Sequence, residues 1–261
     1  MSYKITKYPD GSKYVTVKDF VPELNFRINS YADLWTLKQI KDVYDYNGQT
    51  LKIFIPCLLD AQADRRFNTN ESSGLKLVCK FINELDFVEV IIFHPHNAEV
   101  VEALIDNLVI IDNLSFLNQI LALRNPEDKS INFLSTDAGG YKSLSKVVGK
   151  LDLNVRLESC IKSRDPITHK VTCTVPHFED KQYYQGQDVY VVDDLCIYGG
   201  TAIEIAKQLK TQGVGSLYFV TSHLTVNPKP ELFQLYDMVF TTNSKNIEYI
   251  EKNKLHVVNI F

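Results

Sequence analysis

The stretch Val189–Thr201, VYVVDDLCIYGGT, decides how the rest of the chain is read. Val189–Val192 form an uninterrupted run of β-branched and aromatic residues, as in a strand covered on both faces of a parallel sheet. That strand ends in Asp193 and Asp194, and Gly199, Gly200 and Thr201 follow before a segment of helical period. In open parallel sheets, ligands bind beyond the carboxyl ends of the strands. A Gly-Gly turn lets backbone N–H groups approach an anion, and the helix that follows adds the positive end of its dipole. Thr201 can donate its hydroxyl to the same anion or cap the helix. Two carboxylates repel a phosphate, but they suit sugar hydroxyls or a magnesium ion. Anion cradle and diol acceptors together describe a site for a ribose phosphate.

Outward from this loop, short β-rich runs alternate with amphipathic segments. The runs are NFRIN, LKIFIP, VEVIIFH, LVII, INFLS, VYVVDD, SLYFVTSH, DMVFTT and HVVNIF. Helical spacing marks 31–46, 73–85, 98–107, 140–151 and 201–212. Strand, helix, strand in succession predicts parallel sheets covered by helices. The pattern also repeats. LKIFIP, a polar loop, SGLKLVCKFINEL and VEVIIFHPH match VYVVDD, a loop, GTAIEIAKQLKTQG and SLYFVTSH, and His96 and His223 close the two units. The expected organisation is two similar α/β domains, 1–115 and 116–249, with 250–261 returning to the first. The polar, weakly periodic stretch 164–187 reads as a long loop or hairpin, a length common in lids.

The chain has 261 residues, 45% hydrophobic and 23% charged, enough apolar material for a core without staples. The net charge of −4 carries no basic stripe, so nucleic acid is not an expected partner. Five cysteines without CxxC spacing read as reduced, buried thiols of a cytoplasmic protein. The start MSYKITKYPDGS shows no signal peptide, and no apolar run reaches the length of a bilayer span, so no membrane is expected.

Five segments together resemble the ribose-phosphate pyrophosphokinases (phosphoribosyl-pyrophosphate synthetases). Besides the Asp193–Thr201 loop they are YPDGSKYV at 8–15, DAQADRR at 60–66, STDAGGYK at 135–142 and CIKSRDPITHKV at 160–171. The resemblance implies two phosphoribosyltransferase-like domains. It implies ATP bound by Tyr8, Asp10, Gln62, Asp64, Arg65 and Arg66, with the Tyr8–Val15 loop serving a neighbouring subunit in a dimer or larger homo-oligomer. It implies Mg2+ on His96 and Asp137, with His94 structural. Lys162 and Arg164 would neutralise the transferring phosphates, with His96 a third catalytic residue. Asp193, Asp194, Tyr198, Gly199, Gly200 and Thr201 would bind the acceptor.

The sequence departs from the family pattern at informative points. Ile197 and Tyr198 stand where the family carries Asp-Thr, Gln62 and Ala63 where it carries Arg-Gln, and Ser12 where it carries Glu. The first change removes polar groups beside the phosphate and adds an aromatic face. A branch of the family, found in bacteriophages, resembles these enzymes but pyrophosphorylates ADP-ribose, whose 5-diphosphate ester offers no free monoester to grip. The resemblance therefore favours ADP-ribose over ribose 5-phosphate as acceptor, in a host cytoplasm if the chain is phage-encoded. The alternatives are a phosphoribosyltransferase and a non-catalytic regulatory homologue.

Overall fold

A computed structural model of the chain describes residues 2–124, 131–164, 171–176, 183–250 and 253–261. It divides into two compact units, Met1–Ile111 with Phe261, and Asp112–Ile260.

The first unit opens with an antiparallel hairpin, β1 (Tyr3–Lys7) and β2 (Lys13–Val17), closed at Lys7↔Lys13. Then come β3 (Glu23–Asn25), α1 (Tyr31–Tyr46), β4 (Lys52–Ile55), α2 (Gly74–Asn83), β5 (Glu89–Phe93), α3 (Ala98–Leu104) and β6 (Leu108–Ile111). The strands form a parallel sheet in the order β3-β4-β5-β6. α1 starts at Ser30, whose backbone N–H donates to the Asp33 carboxylate at 2.9 Å, and it buries Leu34, Leu37, Ile40 and Tyr44 at helical spacing. Each such side chain contributes about 1.5–3 kcal/mol by leaving water. The hairpin is tied to α1 where Gln39 Nε2 donates to the Lys13 carbonyl at 3.1 Å.

The second unit contains α4 (Leu114–Arg124), β7 (Ile131–Ser135), α5 (Ala138–Val148), β8 (Val155–Ser159), an antiparallel hairpin of β9 (Ile161–Arg164) and β10 (Val171–Thr174), β11 (Val189–Cys196), α6 (Gly200–Thr211), β12 (Leu217–Leu224), α7 (Pro230–Leu235), β13 (Met238–Thr242) and β14 (Leu255–Val258). Its six-stranded parallel sheet runs β14-β13-β12-β11-β7-β8. β12 is buried at every position, which explains its continuous rather than alternating apolar run. A row of rings crosses five strands: Phe133, Tyr190, Tyr218, Phe240 and His256, with centroid spacings of 5.7, 4.7, 6.2 and 5.9 Å. Arg124 of α4 lies 4.4 Å over the Tyr218 ring. Each ring contact contributes about 0.5–1.5 kcal/mol beyond burial, and the row resists a slip of register that would move the acids of β11.

The two-unit α/β class with helix-flanked parallel sheets is the one the sequence predicts. Four local expectations change. β3 begins two residues before NFRIN, although Phe26 N–H still donates to the Phe54 carbonyl at 2.9 Å. α4, β8 and α7 were not foreseen; α4 buries Phe116, Leu117, Ile120 and Leu121, a helical pattern inside the stretch read only as a boundary. The tail does not return to the first sheet. β14 pairs with β13, and Phe261 alone groups with the first unit, against Phe54 and Arg27. The hairpin begins before the stretch 164–187, which takes in only Arg164 of β9 together with β10, while 165–170 and 177–182 lie outside the described residues. No described helix is long and apolar enough to cross a membrane.

Candidate active site

β11 does not stop at its acids. It stays paired with β12 as far as Cys196↔Leu224, whereas its ladder to β7 ends at Val192↔Ser135. Both acids therefore lie beyond the end of the β7 ladder, and both are half-buried. Asp194 N–H donates to Asp193 Oδ1 at 3.1 Å. Burial, and then the neighbouring Asp194 carboxylate, push the Asp193 carboxyl well above the usual carboxylate range; the Thr136 hydroxyl opposes this and Asp137 adds to it. Two of the quoted segments, 135–142 and 193–201, thus meet at one place in the second unit.

Asp137 sits at the start of α5, and its two oxygens face different partners. Oδ1 accepts from Gly140 N–H at 2.9 Å, and Oδ2 faces Lys162 Nζ at 3.5 Å. Lys162 lies on β9, half-exposed. Arg164 ends β9, and its side chain lies outside the described residues.

The turn after β11 is held from outside. The Cys196 carbonyl accepts from Thr225 N–H at 2.9 Å, and the Tyr198 carbonyl from Lys229 N–H at 3.1 Å. Gly199 adopts φ +80°, and a Cβ there would also lie 3.1 Å from Leu232 Cδ1. Both facts demand glycine. Gly199 is itself the N-cap of α6, so Thr201 is the second helical residue and not the cap. No atom lies within 4 Å of a Cβ built on Gly200, so the space above the first turn is open where helical N–H groups lack intrahelical carbonyls. Ile197 and Tyr198 are 41% and 60% exposed.

In the first unit, the sheet end carries a second cluster. His94 is buried at φ +37°, and its backbone N–H donates to the Ile111 carbonyl at 2.7 Å. His96 is exposed in the turn before α3. Asn97 Nδ2 donates to Asp64 Oδ2 at 2.9 Å, which joins this turn to the 60–66 loop. Gln62, Arg65 and Arg66 are exposed, and the Arg65 guanidinium lies 5.3 Å from the Phe67 ring centroid. At the tip of the hairpin, Tyr8 packs on Tyr14 at 5.5 Å. Asp10 accepts from Ser12 N–H and Oγ–H at 2.9 and 2.7 Å, which holds its carboxyl below the usual range.

Sequence reasoning did not single out Thr136, Asn97, Thr225 or Leu232. Thr136 was within reach, since it lies inside a quoted motif. The others act through contacts between segments distant in the chain and leave no local signature. His223, the repeat partner of His96, is 2% exposed, and its Nδ1 lies 2.9 Å from Ser244 Oγ.

No family model matches the chain. Curated relatives do. A ribose-phosphate pyrophosphokinase of Saccharolobus solfataricus is 22% identical over 225 residues, covering 83% of this chain and 74% of that one. Ribose-phosphate pyrophosphokinase 2 of Archaeoglobus fulgidus is 27% identical over 231 residues, covering 87% and 78%. Among solved structures, phosphoribosylpyrophosphate synthetase from Mycobacterium smegmatis superposes with a TM-score of 0.79 over 99% of this chain and 86% of its own, at 15% identity, a likeness of fold. In sequence the chain is similar to ribose-phosphate pyrophosphokinases, and in fold to a phosphoribosylpyrophosphate synthetase.

Proposed function

We propose that the chain transfers the β,γ-pyrophosphoryl group of ATP to the C1 hydroxyl of a ribose 5-phosphate-type acceptor. The observation that carries this reading is the convergence in the second unit: the Asp193–Asp194 pair, the glycine turn opening α6, and the Asp137–Lys162 pair. The acids accept hydrogen bonds from the ribose 2- and 3-hydroxyls. Gly199, Gly200, Thr201 and the first N–H groups of α6 receive the 5-phosphate. In the reaction a bond forms from the C1 oxygen to the β-phosphorus as the bond from that phosphorus to the α,β-bridging oxygen breaks. AMP leaves with the bridging oxygen, and the hydroxyl proton is released. Such a transfer needs positioning and charge neutralisation. Lys162 and Arg164 supply cations to the moving phosphates, and Tyr8, Asp10, Gln62, Asp64, Arg65 and Arg66 form the nucleotide side.

Magnesium fits the donor set. Among the described residues no group of three or more His, Cys, Asp or Glu could cage a metal. The part-exposed Asp137 carboxylate suits an ion held by one or two protein ligands, with phosphate oxygens and water completing its shell. Asp137 is the proposed ligand in the second unit, and His96 the candidate carried by the first. Bound there, the ion supplies charge neutralisation of the phosphates.

ADP-ribose is the proposed acceptor. Exposed Ile197 and Tyr198 offer an apolar and aromatic surface beside the 5-position, where a larger ester can lie. The chain is proposed to work as a homo-oligomer in the cytoplasm, a setting consistent with the buried thiols of Cys57, Cys79, Cys160 and Cys196.

The test is AMP release from ATP and magnesium with each acceptor, with and without EDTA. Faster turnover of ribose 5-phosphate overturns the ADP-ribose assignment. No AMP with either acceptor overturns the transferase reading and leaves a regulatory homologue. Pyrophosphate release from phosphoribosyl pyrophosphate and a base, without ATP, supports the phosphoribosyltransferase instead.

A further inference from the structure

We propose that Asn97 is a positioning residue that locks the arginine loop to the His96 turn through Asp64, so that Asp64 orients Arg65 and Arg66 rather than touching the nucleotide. The inference rests on the nucleotide-binding reading of the first unit. Asn97 makes two hydrogen bonds whose chemistry fixes its amide. Its Oδ1 accepts from Val100 N–H at 3.2 Å, at the start of α3. A backbone N–H can only donate, so the NH2 end is left for Asp64 Oδ2 at 2.9 Å. Both side chains are half-buried, where a bond to a carboxylate is stronger than at a wet surface.

The rest of the loop is pinned on the other side. Asp60 has φ +57°, and its carboxylate accepts from Tyr31 Oη–H at 2.9 Å. Ala63 N–H donates to the Asp60 carbonyl at 2.8 Å, and the Ala63 carbonyl accepts from Leu75 N–H at 3.3 Å. The backbone is thus held as far as residue 63, and the Asp64–Asn97 bond is the next restraint before Arg65 and Arg66. Without it, the Asp64 carboxylate could turn to the adjacent guanidiniums and remove the cations meant for phosphate.

The test exploits the direction of the bond. Asn97→Asp keeps the cap acceptor but sets two carboxylates face to face. It should raise the Kd and KM for ATP about tenfold, with kcat at saturating ATP and acceptor KM little changed. Asn97→Ser keeps a good N-cap but cannot reach Asp64, and should raise ATP KM similarly with Tm retained. Combining N97D with D64N reverses donor and acceptor and should return ATP affinity to within about threefold of the parent. Unchanged ATP affinity in N97S overturns the proposal, as does a double variant as impaired as N97D. A parent that binds ATP in calorimetry but transfers nothing overturns the function alone. A parent that binds no ATP overturns both.

Discussion

The chain builds its strand–loop–helix–strand unit twice, and the two copies solve the same loop problem differently. Between β11 and α6 only residues 197–199 intervene, and between β4 and α2 residues 56–73 do. Each loop contains a residue in the left-handed region. In the short loop it is Gly199, which lies against Leu232, with open space beside Gly200 at the first turn of α6. In the long loop it is Asp60, whose strain is offset by the Tyr31 hydroxyl and by Gly74, where a Cβ would lie 2.6 Å from Asp60 Oδ2. The long loop presents side-chain cations and the short one presents backbone dipoles. The histidines that end the two units diverge in the same way: His96 is exposed, whereas His223 is buried against Ser244. One scaffold thus exposes backbone N–H groups in one copy and charged side chains in the other.

If the second unit runs the chemistry while the first holds the nucleotide, single substitutions should separate the two. Lys162→Ala should lower kcat about 10³-fold with ATP affinity nearly unchanged, measured by single-turnover kinetics and calorimetry. Equal losses in both would remove the division of labour.

The histidine pair sharpens the contrast. His96→Ala should lower kcat about 100-fold without moving Tm. His223→Ala should cost about 1–3 kcal/mol of stability, by emptying a buried hydrogen-bonding position, and should spare ATP KM. Thermal melts and kinetics on both variants decide, and a stable, slow H223A would contradict the assignment.

The two glycines form the next pair. Gly199→Ala should cost about 1–2 kcal/mol and raise acceptor KM, because left-handed backbone and Leu232 both oppose a Cβ. Gly74→Ala should raise ATP KM instead, by displacing Asp60. If both variants shift the same KM, the two loops are not specialised.

The smallest effect concerns pH. The folded Asp193 carboxyl holds its proton more tightly than the unfolded one, because it is buried beside Asp194. Stability should therefore fall as pH rises from the ordinary carboxylate range through the raised value. Asp193→Asn removes that loss. Its Tm should match the parent in acid and exceed it by roughly 2–4 °C at neutral pH. A constant Tm difference across the whole range would show that the carboxyl is not perturbed.

Much of this molecule was legible in the chain itself. Continuous apolar runs named the covered strands, since a strand with two buried faces has no polar positions to alternate. The spacing of Leu34, Leu37, Ile40 and Tyr44 marked α1, and Val189–Thr201 marked a strand, a turn and a helix start in order. These signals are local, written by one element's own period or by a backbone geometry that admits one residue type. The tertiary structure alone decided that β14 joins the second sheet, that Asp193 shares its surroundings with Thr136 and Asp137, and that Asn97 reaches Asp64. Each of these joins residues far apart in sequence, and their pairing depends on strand order and register rather than on any pattern within one segment. The chain specified which groups could bind phosphate and sugar, and the packing of the sheet decided which of them stand together.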